Sequence, residues 1–198
     1  MISKISESIT NKLILKYNID DKDYEIYVYS MFMLLSFLYF VVLSCALGFL
    51  FDCFLESLIF GFSFQIIRKY AGGYHAKTER LCMLLTSFSC VVSIIIIKLI
   101  QYFVLYDYIL IFTFLSVCLS CAIVPLDTPE NPLSKNEIRC FRKISITINL
   151  VMFLIVVFSF LFEIERVFTP CCISLILEGV LLIAGKVKKI RIGKCREN

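Results

Sequence analysis

Histidine is nearly absent from this chain, with one residue, His75, among 198. A zinc peptidase of the His-Glu-x-x-His type needs two imidazoles on one helical face, so that chemistry is excluded, and no metal or cofactor is expected. Tryptophan is missing altogether. The basic residues flank apolar runs, so no nucleic-acid partner is expected either. The first 25 residues are polar and amphipathic and lack the short basic patch before an apolar run that marks a cleaved secretory signal. The first apolar run is therefore expected to act as an uncleaved insertion signal. Also missing are internal repeats, low-complexity tracts and a Gly-x-x-x-Gly spacing that would argue for helix dimerisation.

Apolar residues are what the chain has in excess: 60% of it is hydrophobic, against about 45–50% in a soluble domain. Runs near 20 residues recur, long enough to cross a hydrocarbon core of ~30 Å as helices. The expected fold is one all-α polytopic membrane domain over 1–198. It has about six transmembrane helices, near 31–51, 53–67, 81–100, 102–124, 144–162 and 167–185. An amphipathic helix within 1–25 precedes them, with Ile2, Ile5, Ile9, Leu13 and Tyr17 at helical spacing, suited to the membrane interface. Two polar islands interrupt the spans, 68–82 and 125–143, the latter a loop by its three prolines, and a basic tail closes the chain at 186–198.

Lysine and arginine orient this arrangement. Eighteen of the 20 fall before the first span, in the two islands or in the tail, all on one side of a six-span chain. Only Lys98 and Arg166 fall opposite. The positive-inside rule puts the 18, and both termini, in the cytoplasm of a cell whose membrane the chain crosses repeatedly. Most of the ten cysteines lie inside spans, where the thiol serves as a small apolar group. Cys140 and Cys195 fall on the reducing side, so structural disulfides are not expected. Cys118 and Cys121, spaced Cys-x-x-Cys, lie in an apolar run without further ligands and read as packing.

The first island holds the chain's candidate chemistry. His75 and Cys82 stand seven residues apart among Arg68, Lys69, Lys77 and Arg80. A thiol attacks only as thiolate, and a nearby histidine and positive surroundings favour that form. If Thr78 caps the third span, Cys82 falls in its first turn, where the helix N-terminus adds to the effect. Residues seven apart on one helix are ~10 Å apart along the axis, so His75 must stand on a loop that folds back. Gly72 and Gly73 give the backbone freedom for that turn. Asp127, Glu79 and Gln65 are candidates to orient His75, and their positions do not choose between them. On spacing alone, an interfacial histidine and a packing cysteine explain the pair better. The context, a sole histidine in a basic Gly-Gly loop facing a cysteine at the start of a span, favours base and nucleophile. Glu178 lies deep in the sixth span, where an ionisable group calls for an explanation.

Arg68, Gly72-Gly73, His75-Ala76 and Cys82 together resemble the signature of the AgrB family, the accessory gene regulator B membrane peptidases of bacterial quorum sensing. The amphipathic Ile-Thr-Asn-Lys-Leu start, the acidic and aromatic run entering the first span and the proline-bearing basic loop after the fourth extend the resemblance along nearly the whole chain. It implies a cysteine endopeptidase in the bacterial cell membrane. Cys82 would attack an AgrD-like signalling propeptide near its C-terminal part, and His75 would move the proton. A thioester on Cys82 would then yield a thiolactone or lactone ring. Arg68, Gly72 and Gly73 match positions that support the loop. The resemblance also implies a homodimer and a charged recognition part in the propeptide, to which Lys135, Arg139, Arg142 and Lys143 of the second island would be complementary. Contact of that island with anionic lipid of the bilayer is the competing reading. A non-enzymatic peptide transporter, with the island as a gate, is the alternative for the whole chain, and an adaptor without chemistry is a third. A peptidase requires the Cys82 thiol, whereas a transporter tolerates its loss.

Overall fold

The computed structural model describes residues 2–17, 24–73, 78–126 and 134–197, and within them all side chains except those of Lys16, Tyr17, Lys135 and residues 192–197. The described residues form seven helices: α1 (Ile2–Tyr17), α2 (Tyr24–Leu50), α3 (Phe54–Ala71), α4 (Glu79–Phe103), α5 (Tyr106–Ile123), α6 (Lys135–Leu161) and α7 (Glu165–Glu197). Only an isolated bridge between Gly72 and Leu126 has β character among them. The chain is thus an all-α polytopic membrane protein, as its composition requires. Five helices, α2, α4, α5, α6 and α7, are long and apolar enough to cross a membrane. The remaining expected span, α3, has 18 residues but carries Glu56 near one end and Arg68 and Lys69 at the other. Those end charges, rather than its middle, set it apart.

At its centre stands α7. The apolar part of α7 is 61% buried, against 17–28% for the other four long helices, and it packs on α3, α4, α5 and α6. Phe168, Cys171, Cys172, Leu175 and Leu182 join one core cluster with Ile67, Val117 and Val156. Ile173 joins a second with Phe40, Phe60, Phe64, Ile94 and Ile97. In that cluster the Phe40 ring lies 6.3 Å from Phe60 and 5.7 Å from Phe64. Leu34, Val42, Phe88, Phe112 and Phe158 are exposed on the outer faces, as lipid-facing positions are when every backbone group is satisfied within its helix.

Small residues set the helix spacing. A Cβ on Gly48 would lie 2.9 Å from Phe54 Cα and Ser57 Cβ, and one on Gly61 would lie 3.0 Å from Ser44 Oγ. Ser57 Oγ donates to the Ser44 carbonyl at 2.5 Å. Close backbone approach and hydroxyl bonding of this kind hold helices together where water supplies no drive.

One expectation needs correction. Residues 135–143 of the second island are helix, not loop. Ser134 caps α6 by accepting from Glu137 N, while the Glu137 carboxylate accepts from Ser134 N. This Ser-x-x-Glu capping box starts the helix nine residues before the apolar run does. In α1, expected to turn its apolar stripe to the membrane interface, a mostly polar face meets the protein. Ile2, Ser6 and Thr10 are buried, while Ile5 and Leu13 are exposed. Small polar side chains thus meet α2, and larger apolar ones face outward, where an interfacial helix meets lipid.

Residue pairings at the end away from the islands explain the two outlying cations. Lys98 Nζ donates to the Asp52 carbonyl at 3.4 Å, and Arg166 Nε lies 3.8 Å from Glu56 Oε1.

Candidate active site

Thr78 is extended and caps α4, its Oγ1 accepting from Leu81 N at 3.3 Å. Cys82 N then donates to the Thr78 carbonyl at 3.0 Å, the bond that closes the first turn. Cys82 is half-buried in that first turn, at the N-terminus of α4. The placement expected from Thr78 is the one observed. His75, Lys77 and their neighbours, residues 74–77, lie outside the described residues, as does Asp127.

The loop toward His75 leaves α3 at Gly72 and Gly73. Gly72 has φ +83° and Gly73 φ +129°, both in the region that side chains rarely enter. Gly72 N donates to the Arg68 carbonyl at 3.2 Å, and Leu126 N donates to the Ala71 carbonyl at 2.9 Å. The second contact ties the start of the first island to the start of the second. A Cβ on Gly72 would fall 2.8 Å from the Leu126 carbonyl oxygen. At Gly73 a Cβ would fall 3.2 Å from Arg68 Nη1, 3.6 Å from Glu178 Oε1 and 3.7 Å from Leu181 Cβ. Gly72 therefore passes too close to the Leu126 backbone to carry a side chain, while Gly73 passes beside Arg68 and α7 with a backbone angle that side chains rarely adopt.

Arg68 stands in the last turn of α3, its guanidinium carbon 5.7 Å from the centroid of the Phe64 ring, within cation–π range. Glu79 is engaged with α1: its Oε1 accepts from Ile2 N at 2.6 Å and Ser3 N at 3.2 Å, and its Oε2 accepts from Ser3 Oγ at 2.7 Å. The first turn of α4, which carries Cys82, is thus clamped to the N-terminus of α1. An acidic side chain at a helix N-terminus is a familiar pairing, but this one joins residues 76–77 positions apart, which no local motif announces. Gln65 is half-buried on α3.

Arg139, Arg142 and Lys143 are exposed in the first turns of α6; the Lys135 side chain lies outside the described residues. Beside them a cavity of about 480 Å³ is lined by Ile123, Pro125, Leu126 and Ile138, with Lys186 and Lys189 from α7. The sequence marked these two lysines only as part of a basic tail. Their place beside the second island comes from α7 continuing as helix past its apolar run.

The model of the family described as Accessory gene regulator B matches residues 6–183. Two AgrB-like proteins of Clostridium perfringens, from strain 13 (Type A) and strain SM101 (Type A), are 38% and 36% identical to the chain over 85 residues. Each match covers 43% of this chain and 40% of the relative, so the chain spans about two fifths of those proteins. Accessory gene regulator protein B of Staphylococcus intermedius is 26% identical over 143 residues, 71% of this chain and 69% of that protein. No solved structure gives a significant match.

Proposed function

The chain belongs to the accessory gene regulator B family, and from that premise we propose that it is a membrane cysteine endopeptidase that processes an AgrD-like propeptide in quorum sensing. The observation that carries the reading is the placement of Cys82 in the capped first turn of α4, at the end of the bundle where both islands meet through Gly72 and Leu126. In the sequence His75 falls between Gly73 and Thr78, which flank that turn.

In this mechanism His75 takes the Cys82 proton, and the thiolate attacks a peptide carbonyl in the propeptide. The C–N bond breaks, and the proton passes from His75 to the leaving amine. The N-terminal part of the propeptide remains as a thioester on Cys82. An internal cysteine or serine of that part then attacks the thioester carbonyl, giving its proton through His75 to the departing Cys82 sulfur and closing the ring. Ring closure competes with hydrolysis only where water is scarce, which suits a site at a bilayer edge. The Cys82 amide is committed to Thr78, so donors to the oxyanion come from other groups. Arg68, Gly72 and Gly73 support the loop. Lys135, Arg139, Arg142 and Lys143, with Lys186 and Lys189 across the cavity, offer cations to an acidic stretch of the propeptide. The orientation is the one the charges dictate, with the islands and both termini in the cytoplasm.

The test is cleavage of a synthetic AgrD-like propeptide by the protein in liposomes, followed by mass. Cys82→Ala and His75→Ala should each abolish cleavage while the protein still inserts. Cleavage by Cys82→Ala would remove the nucleophile and return the island to the role of a binding loop.

A further inference from the structure

Glu178 is the group in the membrane-embedded core that the mechanism above leaves unused. It is fully buried at the middle of α7, and among the described residues neither carboxylate oxygen accepts a hydrogen bond. A buried carboxylate in a membrane helix is costly and persists where a charge partner or a function holds it. Arg68, 110 positions earlier in the chain, brings a cation into its neighbourhood. Both head groups come within 4 Å of one point, the place where a Cβ on Gly73 would be: Arg68 Nη1 at 3.2 Å and Glu178 Oε1 at 3.6 Å. Leu181, almost one turn further along α7, closes the same point at 3.7 Å. Gly73 therefore has both the Arg68 and the Glu178 head groups on its Cα-hydrogen side, and in sequence it leads directly into residues 74–77, which include His75.

We propose that Glu178 is a positioning residue of the site: its carboxylate holds the Arg68 guanidinium under Gly73, and the pair sets the course of the loop that carries His75. This rests on the peptidase reading for its consequence, but not for the pairing itself. The carboxylate touches no substrate. It acts through Arg68, and α7, the most buried helix, supplies a fixed platform. Glycine suits position 73 because φ +129° is rarely adopted by other residues and a Cβ there would crowd Arg68 Nη1 at 3.2 Å.

Kinetics and unfolding of the full-length protein test the proposal together. Glu178→Gln keeps the shape and removes the charge; Glu178→Asp keeps the charge on a shorter stem. With a synthetic AgrD-like propeptide in liposomes, Glu178→Gln should lower kcat at least about tenfold with KM within about twofold, since the interaction orients the catalyst rather than binding substrate. Glu178→Asp should recover part of the loss. In an Arg68→Gln background, Glu178→Gln should cost little more, because the partner is already gone. Thermal unfolding in detergent reads the pair without activity. Arg68→Gln and Glu178→Gln should each lower Tm, and the double variant should melt no lower than the worse single. If wild type fails to cleave while the melts are non-additive, the peptidase reading falls and the pairing stands. Additive melts, or Glu178→Gln cleaving at the wild-type rate, would overturn the proposal. Should Glu178→Gln fail to accumulate, Glu178→Asp and the double variant still decide it.

Discussion

Replacing Gly72 by alanine strikes the loop at its most constrained point, and the cost can be worked from the geometry. At φ +83° and ψ −137° the residue occupies backbone space that is nearly glycine's alone, and a side chain there costs about 1–3 kcal/mol. The new Cβ would meet the Leu126 carbonyl oxygen at 2.8 Å, a backbone atom that cannot rotate away as a side-chain tip could. Relieving that contact separates Gly72 from Leu126 and puts the bond from Leu126 N to the Ala71 carbonyl at risk, another ~0.5–1.5 kcal/mol. Together these come to about 1.5–4.5 kcal/mol. The variant can escape by letting the loop take another course, and it must then regain the present one to react. At about 1.36 kcal/mol per decade, cleavage should fall by about 10- to 2000-fold. The assay is single-turnover cleavage in liposomes, with insertion checked by protease protection. Hydrogen exchange at the Leu126 amide reports the bridge directly and should speed up. Wild-type cleavage together with unchanged exchange at Leu126 would refute the reasoning, because it would mean that the glycine's geometry and the bridge are both dispensable.

Thr78→Ala should cost about 0.5–2 kcal/mol of stability as a lost N-cap and should slow cleavage through the turn that carries Cys82, with Thr78→Ser restoring both; melting and cleavage of the two variants check it. Glu79→Gln leaves a weaker acceptor for Ile2 and Ser3, so the amides at the start of α1 should exchange faster while those in the middle of α4 do not, as hydrogen-exchange mass spectrometry would read. Arg166→Ala should change Tm by no more than the equivalent of about 0.5 kcal/mol, since the arginine is 74% exposed and its pair with Glu56 is long; a large drop would mean that the outer charges hold the bundle together.

The six apolar runs placed six of the seven helices, because span length and hydropathy are written locally. The Thr78 cap and the position of Cys82 were legible for the same reason: an N-cap is read from neighbours three residues apart. The helical start of α6 was equally local, in Ser134 and Glu137, but the prolines at 125, 129 and 132 drew the whole island into a loop. What the sequence could not display were contacts between residues far apart in the chain. Nothing near Glu79 announces the N-terminus of α1, and nothing near Gly73 announces the Glu178 head group beside it. The bridge from Gly72 to Leu126 is of the same kind. The α1 helix shows a subtler limit. Periodicity located its apolar stripe correctly, but in a bilayer an apolar stripe faces lipid as readily as protein, and the small polar stripe became the seam.

The account turns on covalent chemistry at one sulfur, and trapping the acyl-enzyme tests it most directly. Protein mixed with a propeptide whose internal cysteine is replaced by alanine should accumulate an adduct, because the ring-closing nucleophile is gone. Intact mass should increase by the N-terminal part of the propeptide, peptide mapping should put the adduct on Cys82, and hydroxylamine should release it as a thioester. The same treatment of Cys82→Ala should leave the protein mass unchanged. Cleavage by Cys82→Ala, or an adduct on another cysteine, would contradict the account.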